Sequence, residues 1–371
     1  MENISTVSFY GWDNVTMQLN KILLARSTNC NIIIFNFVEA QLDERVWKVL
    51  NETLIKNKKI QCTLICGMLS SLEEYKKLEF DMFKQNLPND NCKVVIWTEY
   101  FIWHSFMLIE GCCEEKQQQG IHVDEYKKKY YNNDLSYRKY KFPFASFNGK
   151  IRPHRSLFID KLAETNMIDK GFVTYHGMRK EMNYTKEIDV EYNFFKYNMI
   201  EENNLAYFMD ETQTIASADI NESFTESFLH IPCETNFEEF TLTEKTILPI
   251  LFKYPFLTVG SRDFHKHLQD LGFQLYDEIF DYDFDKDNDL RNRIDGVVNN
   301  IKYIYKNFTK VYEMQGKIES KLQHNYDRCI DIIKDKKNYP AEIVANLNHE
   351  SLSFVRRCYN KDLNFLLKLW Y

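Results

Sequence analysis

Glycine is scarce in this 371-residue sequence, with 11 residues, and the G-x-G-x-x-G fingerprint is missing altogether. Dinucleotide binding by the usual glycine-rich phosphate loop therefore has no support here. Also missing is any run approaching about 18 apolar residues, so no membrane-spanning helix is expected. The opening MENISTVSFYGWDN has neither a charged leader nor an apolar core, and no signal peptide is expected. Positive charge is not in excess: 47 Lys+Arg against 54 Asp+Glu gives −7. That balance offers no global attraction to nucleic acid or an anionic membrane, although a local basic patch stays open. Nine cysteines are scattered without a paired C-x-x-C framework, and the odd count argues against a disulfide scaffold. Reduced, buried cysteines in a cytoplasmic protein are the expectation.

What is present is an apolar share of 44% and a charged share of 27%, ordinary for a globular chain long enough for two α/β domains. Aromatics reach 15%, with 23 Tyr and 28 Phe. Short apolar runs alternate with helix-period segments along the first part. Val7 to Tyr10, Asn31 to Val38, Cys62 to Cys66 and Cys92 to Thr98 read as strands. Leu19 to Leu24, then Leu42, Val46, Val49, Leu50 and Leu54, and a polar stretch around Ser71 to Gln85, read as helices between them. This alternation predicts a Rossmann-like α/β domain over residues 1–140. Glu99 follows the last of these strands, at the end where parallel sheets place reactive groups; a solvated acid closing a strand accounts for it equally well. Residues 114–141, rich in Lys, Tyr and Gln, predict an exposed connection. Their alternation of basic and aromatic side chains also suits single-stranded nucleic acid, or acceptor contacts.

Two later stretches carry chemistry. In the first, Phe144 to Phe147 predicts a strand, Asn148-Gly149 a turn, and Arg152-Pro153-His154-Arg155 the start of a helix through Leu157, Phe158, Ile159 and Leu162. Proline suits a first helical turn. Two arginines and a histidine there oppose the positive end of the helix dipole, which predicts a compensating anion such as a nucleotide diphosphate. Structural salt bridges are the alternative. The second stretch runs from Ser227 to Gly260: strand (Phe228 to Ile231), Pro232, an acidic loop with Glu234, then Thr243-Glu244-Lys245. A helix through Ile247 to Phe252 follows, and a strand from Pro255 to Val259 ends it. Lys245 at that helix N-terminus is placed to meet a diphosphate, and Glu244 to accept ribose hydroxyls. A helix cap with a solvated charge pair explains the same residues.

The order SFLHIPCET, TEKT, PFLTVG resembles the donor-binding segment of GT-B glycosyltransferases, and most closely the α-1,3-fucosyltransferase family. Thr243-Glu244-Lys245 matches that family's Thr-Glu-Lys, whereas Glu234-Thr235-Asn236 stands where the family has Glu-Asn-Ser. Asn148-Gly149 and Arg152 to Arg155 upstream of Thr243 to Thr246 also resemble phage and large-virus proteins with the same order. The resemblance implies a fold of two Rossmann-like domains with a C-terminal helical segment. An acceptor domain would span 1–140, a donor domain 141–310 and helices 311–371. It implies metal-independent, inverting transfer of a sugar from a nucleoside-diphosphate donor, possibly a GDP-sugar, to a glycan or other hydroxyl acceptor. Asn148, Arg152, His154, Arg155, Glu244 and Lys245 would bind donor, Glu234 would lie near the transferred sugar, and Glu99 would be the base. A non-catalytic nucleotide-binding protein is the alternative, and a nucleic-acid acceptor is disfavoured by the net charge. The acidic run from Asp281 to Asp289 predicts a helix-leading turn, because Lys286 and Asn292 stand where a calcium loop needs Gly and Glu.

Overall fold

The apolar runs become parallel strands, and the helix-period segments connect them, in a computed structural model of the chain. It describes residues 4–10, 15–27, 32–38, 45–46, 48–50, 52, 61–66, 92–97, 99–106, 140–148, 152–175, 222–238, 240–345, 356–357 and 359–360. The expected helix at 71–85, the basic-aromatic stretch at 114–139, residues 180–219 and most of 352–369 lie outside these. The architecture is mixed α/β, and the chain divides into two compact units, Met1–Trp103 with Ile332–Leu363, and His104–Asp331 with Asn364–Tyr371. No helix among the described residues is long and apolar enough to cross a membrane.

In the first unit, β1 (Ile4–Tyr10), β2 (Ile32–Val38), β3 (Gln61–Cys66) and β4 (Cys92–Ile96) pair in parallel in the order 1-2-3-4. Parallel neighbours need a crossover, which α1 (Val15–Ser27) supplies between β1 and β2. Helical residues between β2 and β3 bury Val46 and Leu50 completely, as their four-residue spacing requires. The core also has a contribution from far along the chain. Trp97 lies 5.4 Å from Trp103 and 5.7 Å from Tyr339, ring centroid to centroid. Tyr339 in turn donates its hydroxyl to the carbonyl of Ile333. An aromatic cluster therefore fastens the segment around Tyr339 to the end of β4.

The second unit is built on β5 (Phe142–Asn148), β6 (Phe172–Tyr175) and β7 (Ser227–His230), parallel in the order β6-β5-β7. Helix α2 (Pro153–Glu164) connects β5 to β6. The four-residue helix α3 (Glu222–Thr225) precedes β7, and α4 (Glu244–Leu251) follows it. The expected strand at Pro255 to Val259 lies beside β7 but joins it through two parallel bridges only, His230 with Phe256 and Cys233 with Val259. Pro232 stands between those bridges, and its missing N–H interrupts the ladder. The backbone bonds on either side survive: His230 N to Pro255 O at 3.0 Å and Val259 N to Pro232 O at 2.8 Å.

Helix α5 (Phe264–Asp270) closes at Gly272, which takes φ 91, a left-handed conformation natural to glycine after a helix. A 3-10 turn at Asp283–Lys286 leads to α6 (Leu290–Lys306), whose Ile294, Val297, Val298, Ile301 and Ile304 form the buried face. α6 packs on α2, and Lys161 reaches Asp295 at 3.2 Å. α7 (Phe308–Glu313) and α8 (Gln315–Lys334) follow, then α9 (Ala341–Val344). The segment from Gln274 to Phe280 is irregular, with a turn at residues 277–279.

Gly296 within α6 is required by contact, not by φ. A Cβ there would fall on the side chain of Phe284 in the 3-10 turn. Alanine in a helix interior ordinarily gains up to about 1 kcal/mol over glycine. Here Gly296→Ala is expected to destabilise by about 1–3 kcal/mol through overpacking, a sign that urea denaturation reads directly.

Candidate functional site

The strand order β6-β5-β7 places a reversal of strand order at β5: the chain leaves it to one side for β6 and returns on the other side as β7. In open parallel sheets, ligands bind in the crevice outside the carboxyl ends of the strands at such a reversal. Asn148 ends β5 there, and residues 231–243 leave β7 there. The loop is strapped to β5 by Ser146, whose hydroxyl donates to the Ile231 carbonyl at 2.7 Å and accepts from the Asn148 side-chain amide at 3.0 Å.

Glu234 is the hub of the loop and is completely buried. Its carbonyl oxygen takes His154 Nε2 at 2.7 Å and Arg155 Nη2 at 3.2 Å, both from the first turn of α2. Arg155 Nη2 also reaches the Cys233 carbonyl at 3.1 Å. The carboxylate faces α4. It accepts from the backbone N–H of Thr235 at 3.3 Å and of Thr243 at 3.2 Å. It also accepts from the hydroxyls of Thr243 and Thr246. Four donors fill a group that carries about four lone-pair positions.

Thr243 is at the same time the N-cap of α4, accepting from Lys245 N at 3.4 Å. Lys245 Nζ pairs with Glu244 at 2.6 Å and lies within 3.3 Å of the Thr235 hydroxyl. That pair is only 15% exposed on either side chain, so it is a half-buried ion pair and not a solvated one.

The eight sequence-selected residues are thus placed as follows. His154, Arg155, Glu234, Glu244 and Lys245 form one connected polar network at the crevice, and Asn148 meets the same loop through Ser146 and the Ile231 carbonyl. Arg152 sits at its rim as the N-cap residue of α2, half-buried, with no hydrogen bond or ion pair from its guanidinium among the described residues. Glu99 is half-buried in the turn before the helical residues 100–106, in the first unit.

The geometry adds three facts about these residues. The cluster at α2 does not hold three cations in search of an anion. Burial, with Arg155 next, drives the His154 pKa well below 6.5, so the ring is neutral, and Arg155 is spent on backbone carbonyls. Glu244 faces Lys245 and not an open ribose subsite. Glu234 is a buried tether with its acceptor positions filled, which suits positioning better than contact with a transferred sugar.

The residues that sequence reasoning missed are Ser146, Thr235, Thr246 and Phe237. Only Thr246 had a signal, since the T-x-x-T spacing puts both hydroxyls on the first helical turn. Beyond them, Thr246 approaches Thr258 at 3.3 Å, and Thr258 N donates to His265 Nε2 at 3.1 Å. His265 Nδ1 then donates to Asp285 at 2.7 Å.

The acidic run forms the expected turn before α6, and two of its residues are also helix caps. Asp285 accepts from the N–H groups of His265 and Lys266 at the start of α5, and Asp289 from Arg291 N at the start of α6. Arg293 holds the carbonyls of Asp287 and Phe237. Among the described residues no group of three or more His, Cys, Asp or Glu is set to hold a metal.

No family model, no curated protein and no solved structure matches this chain.

Burial raises the pKa of Glu234 above the ordinary 4.5, against the pull of Lys245 and the two threonine hydroxyls. A raised folded value means that the native state keeps a proton the unfolded chain has released. The stability this confers is complete below 4.5 and declines as pH rises through the folded value. Glu234→Gln cannot titrate and turns amide hydrogens toward donors. The variant is expected to lose about 1–3 kcal/mol. The gap from wild type should narrow as pH rises from 4.5, measured by urea denaturation between about pH 4 and 8.

Proposed function

We infer that this chain is a glycosyltransferase of GT-B type, with two Rossmann-like domains and a nucleoside-diphosphate sugar as donor. The observation that carries the reading is the joining of the two chemistry-bearing stretches through one residue. His154 and Arg155 from the first stretch hold the carbonyl of Glu234, and Thr243 and Thr246 from the second hold its carboxylate. Both helix N-termini are thereby drawn to the strand reversal, where a diphosphate suits the geometry. Their order along the chain is that of the α-1,3-fucosyltransferase donor segment, which supports a GDP-sugar and inversion.

In this reading Arg152, whose guanidinium has no partner among the described residues, neutralises the diphosphate. As the acceptor oxygen bonds to the anomeric carbon, the bond from that carbon to the phosphate oxygen breaks. The electron pair leaves with the diphosphate, whose growing charge the guanidinium stabilises. The acceptor proton goes to a general base, for which the sequence alone offers Glu99. Glu234, His154 and Arg155 keep the two helices in register. The donor is a substrate, and no metal is invoked.

One observation favours a second reading, a nucleotide-binding protein without turnover. The carboxylates of the crevice, Glu234 and Glu244, are both engaged by internal donors. Release of nucleoside diphosphate from a sugar nucleotide separates the two readings.

A panel of nucleoside diphosphates at about 100-fold above Kd should stabilise the chain by about 2.7 kcal/mol, on the order of 5 °C in Tm. Arg152→Ala is expected to leave the unliganded Tm unchanged within about 1 °C, because its guanidinium has no partner among the described residues, and to abolish the ligand shift. No shift with any nucleotide overturns the proposal.

A further inference from the structure

His154 was selected in the sequence as part of a cationic cluster, yet its imidazole presents the opposite chemistry. Nε2 lies 2.7 Å from the carbonyl oxygen of Glu234, an atom that can only accept. The ring proton is therefore on Nε2, and Nδ1 carries a lone pair. Burial and the neighbouring Arg155 favour that neutral form. The residue is 0% exposed, and Nδ1 has no hydrogen-bond partner among the described residues. Folded proteins seldom leave such an acceptor unmet. Nδ1 is the ring nitrogen nearer the backbone of the first turn of α2.

An ionised diphosphate offers only acceptor oxygens. It suits the donor-only guanidinium of Arg152 and cannot meet the lone pair on Nδ1. What completes His154 must bring a hydroxyl or an N–H. An aromatic surface adjoins it: the Phe237 ring is 5.1 Å from the imidazole, centroid to centroid. The backbone of Phe237 is fixed through its carbonyl by Arg293 at 3.2 Å, while its side chain is half-exposed. A flat ring next to an unmet acceptor suits a nucleoside, with its π face and its ribose and base donors.

We propose that His154 is a specificity residue whose Nδ1 accepts a hydrogen bond from the nucleoside part of a nucleoside diphosphate, with Phe237 as the stacking surface, so that the site selects nucleotides over inorganic diphosphate. This rests on the nucleoside-diphosphate reading above and adds the means of discrimination.

The test measures Kd of the full chain for UDP, GDP and ADP, and for inorganic diphosphate, by titration calorimetry. In wild type, at least one nucleoside diphosphate is expected to bind about tenfold or more tighter than inorganic diphosphate. His154→Gln places an amide nitrogen where Nε2 was, which keeps the bond to Glu234, and removes the acceptor at Nδ1. It should cut the nucleotide preference about fivefold or more and leave inorganic diphosphate unaffected. A wild-type chain that binds inorganic diphosphate as tightly as every nucleotide, or a preference intact in His154→Gln, overturns the proposal while the parent reading stands. Binding of none of the four ligands removes both. Should His154→Gln fail to fold, Phe237→Ala gives the same readout. Its nucleotide preference should fall while inorganic diphosphate binding holds, and an unchanged preference overturns the proposal.

Discussion

Glu234 places one residue's two polar ends in two different helices, and the second unit's crevice depends on that division. Its carbonyl receives the first turn of α2, and its carboxylate receives the loop and first turn of α4. Isolated in a dry interior, a carboxylate would cost several kcal/mol. Four donors offset that cost only if all of them arrive together. The threonine hydroxyls can also accept, so the network tolerates the extra proton that burial favours. Such an all-or-nothing arrangement fixes the separation of two helix N-termini more tightly than apolar packing alone, because hydrogen bonds weaken steeply with misalignment.

That constraint redistributes charge along the rim. His154 and Arg155 are adjacent in sequence and look alike as cations, but one is neutralised by burial and the other is consumed by carbonyls. Lys245 is balanced by Glu244. Arg152 remains as a positive group whose guanidinium has no partner among the described residues. The same burial that removes His154 from the list of anion ligands supplies the crevice with an acceptor.

Much of the framework was legible because apolar runs bounded by polar residues have few alternatives. IIIFNFV and CKVVI read as strands and are strands, and Gly272 marks the helix end that its φ requires. The reduction of the last strand to two bridges was visible in principle, since Pro232 has no N–H to give. The site was legible in its location and not in its electrostatics. Nothing in the spacing of Glu234, Thr243 and Thr246 says that a carboxylate will sit under both hydroxyls, and nothing in RPHR says which cation faces inward. Those facts follow from burial, which is set by partners some 80 positions away, such as Cys233 and Glu234 for Arg155. The cluster of Trp97 with Tyr339 was equally hidden, as aromatic contacts over that separation leave no periodicity to read.

The polar chain does not stop at Glu234. Through Thr246, Thr258 and the N–H that Thr258 gives to His265, it reaches Asp285, whose carboxylate caps α5. Because His265 Nε2 accepts from a backbone N–H, its proton must lie on Nδ1, toward Asp285. The pair has the outline of an acid–base dyad, but the nitrogen that would serve as the base is already committed to the backbone. Its role is to carry structural order from the loop after β7 to the turn that leads into α6. Arg293, anchored at that turn, then returns to the Phe237 carbonyl. The Phe237 backbone is thus fixed by α6 through Arg293, while its ring rests against His154 on α2, so an aromatic surface on an exposed loop acquires a defined place beside the imidazole lone pair.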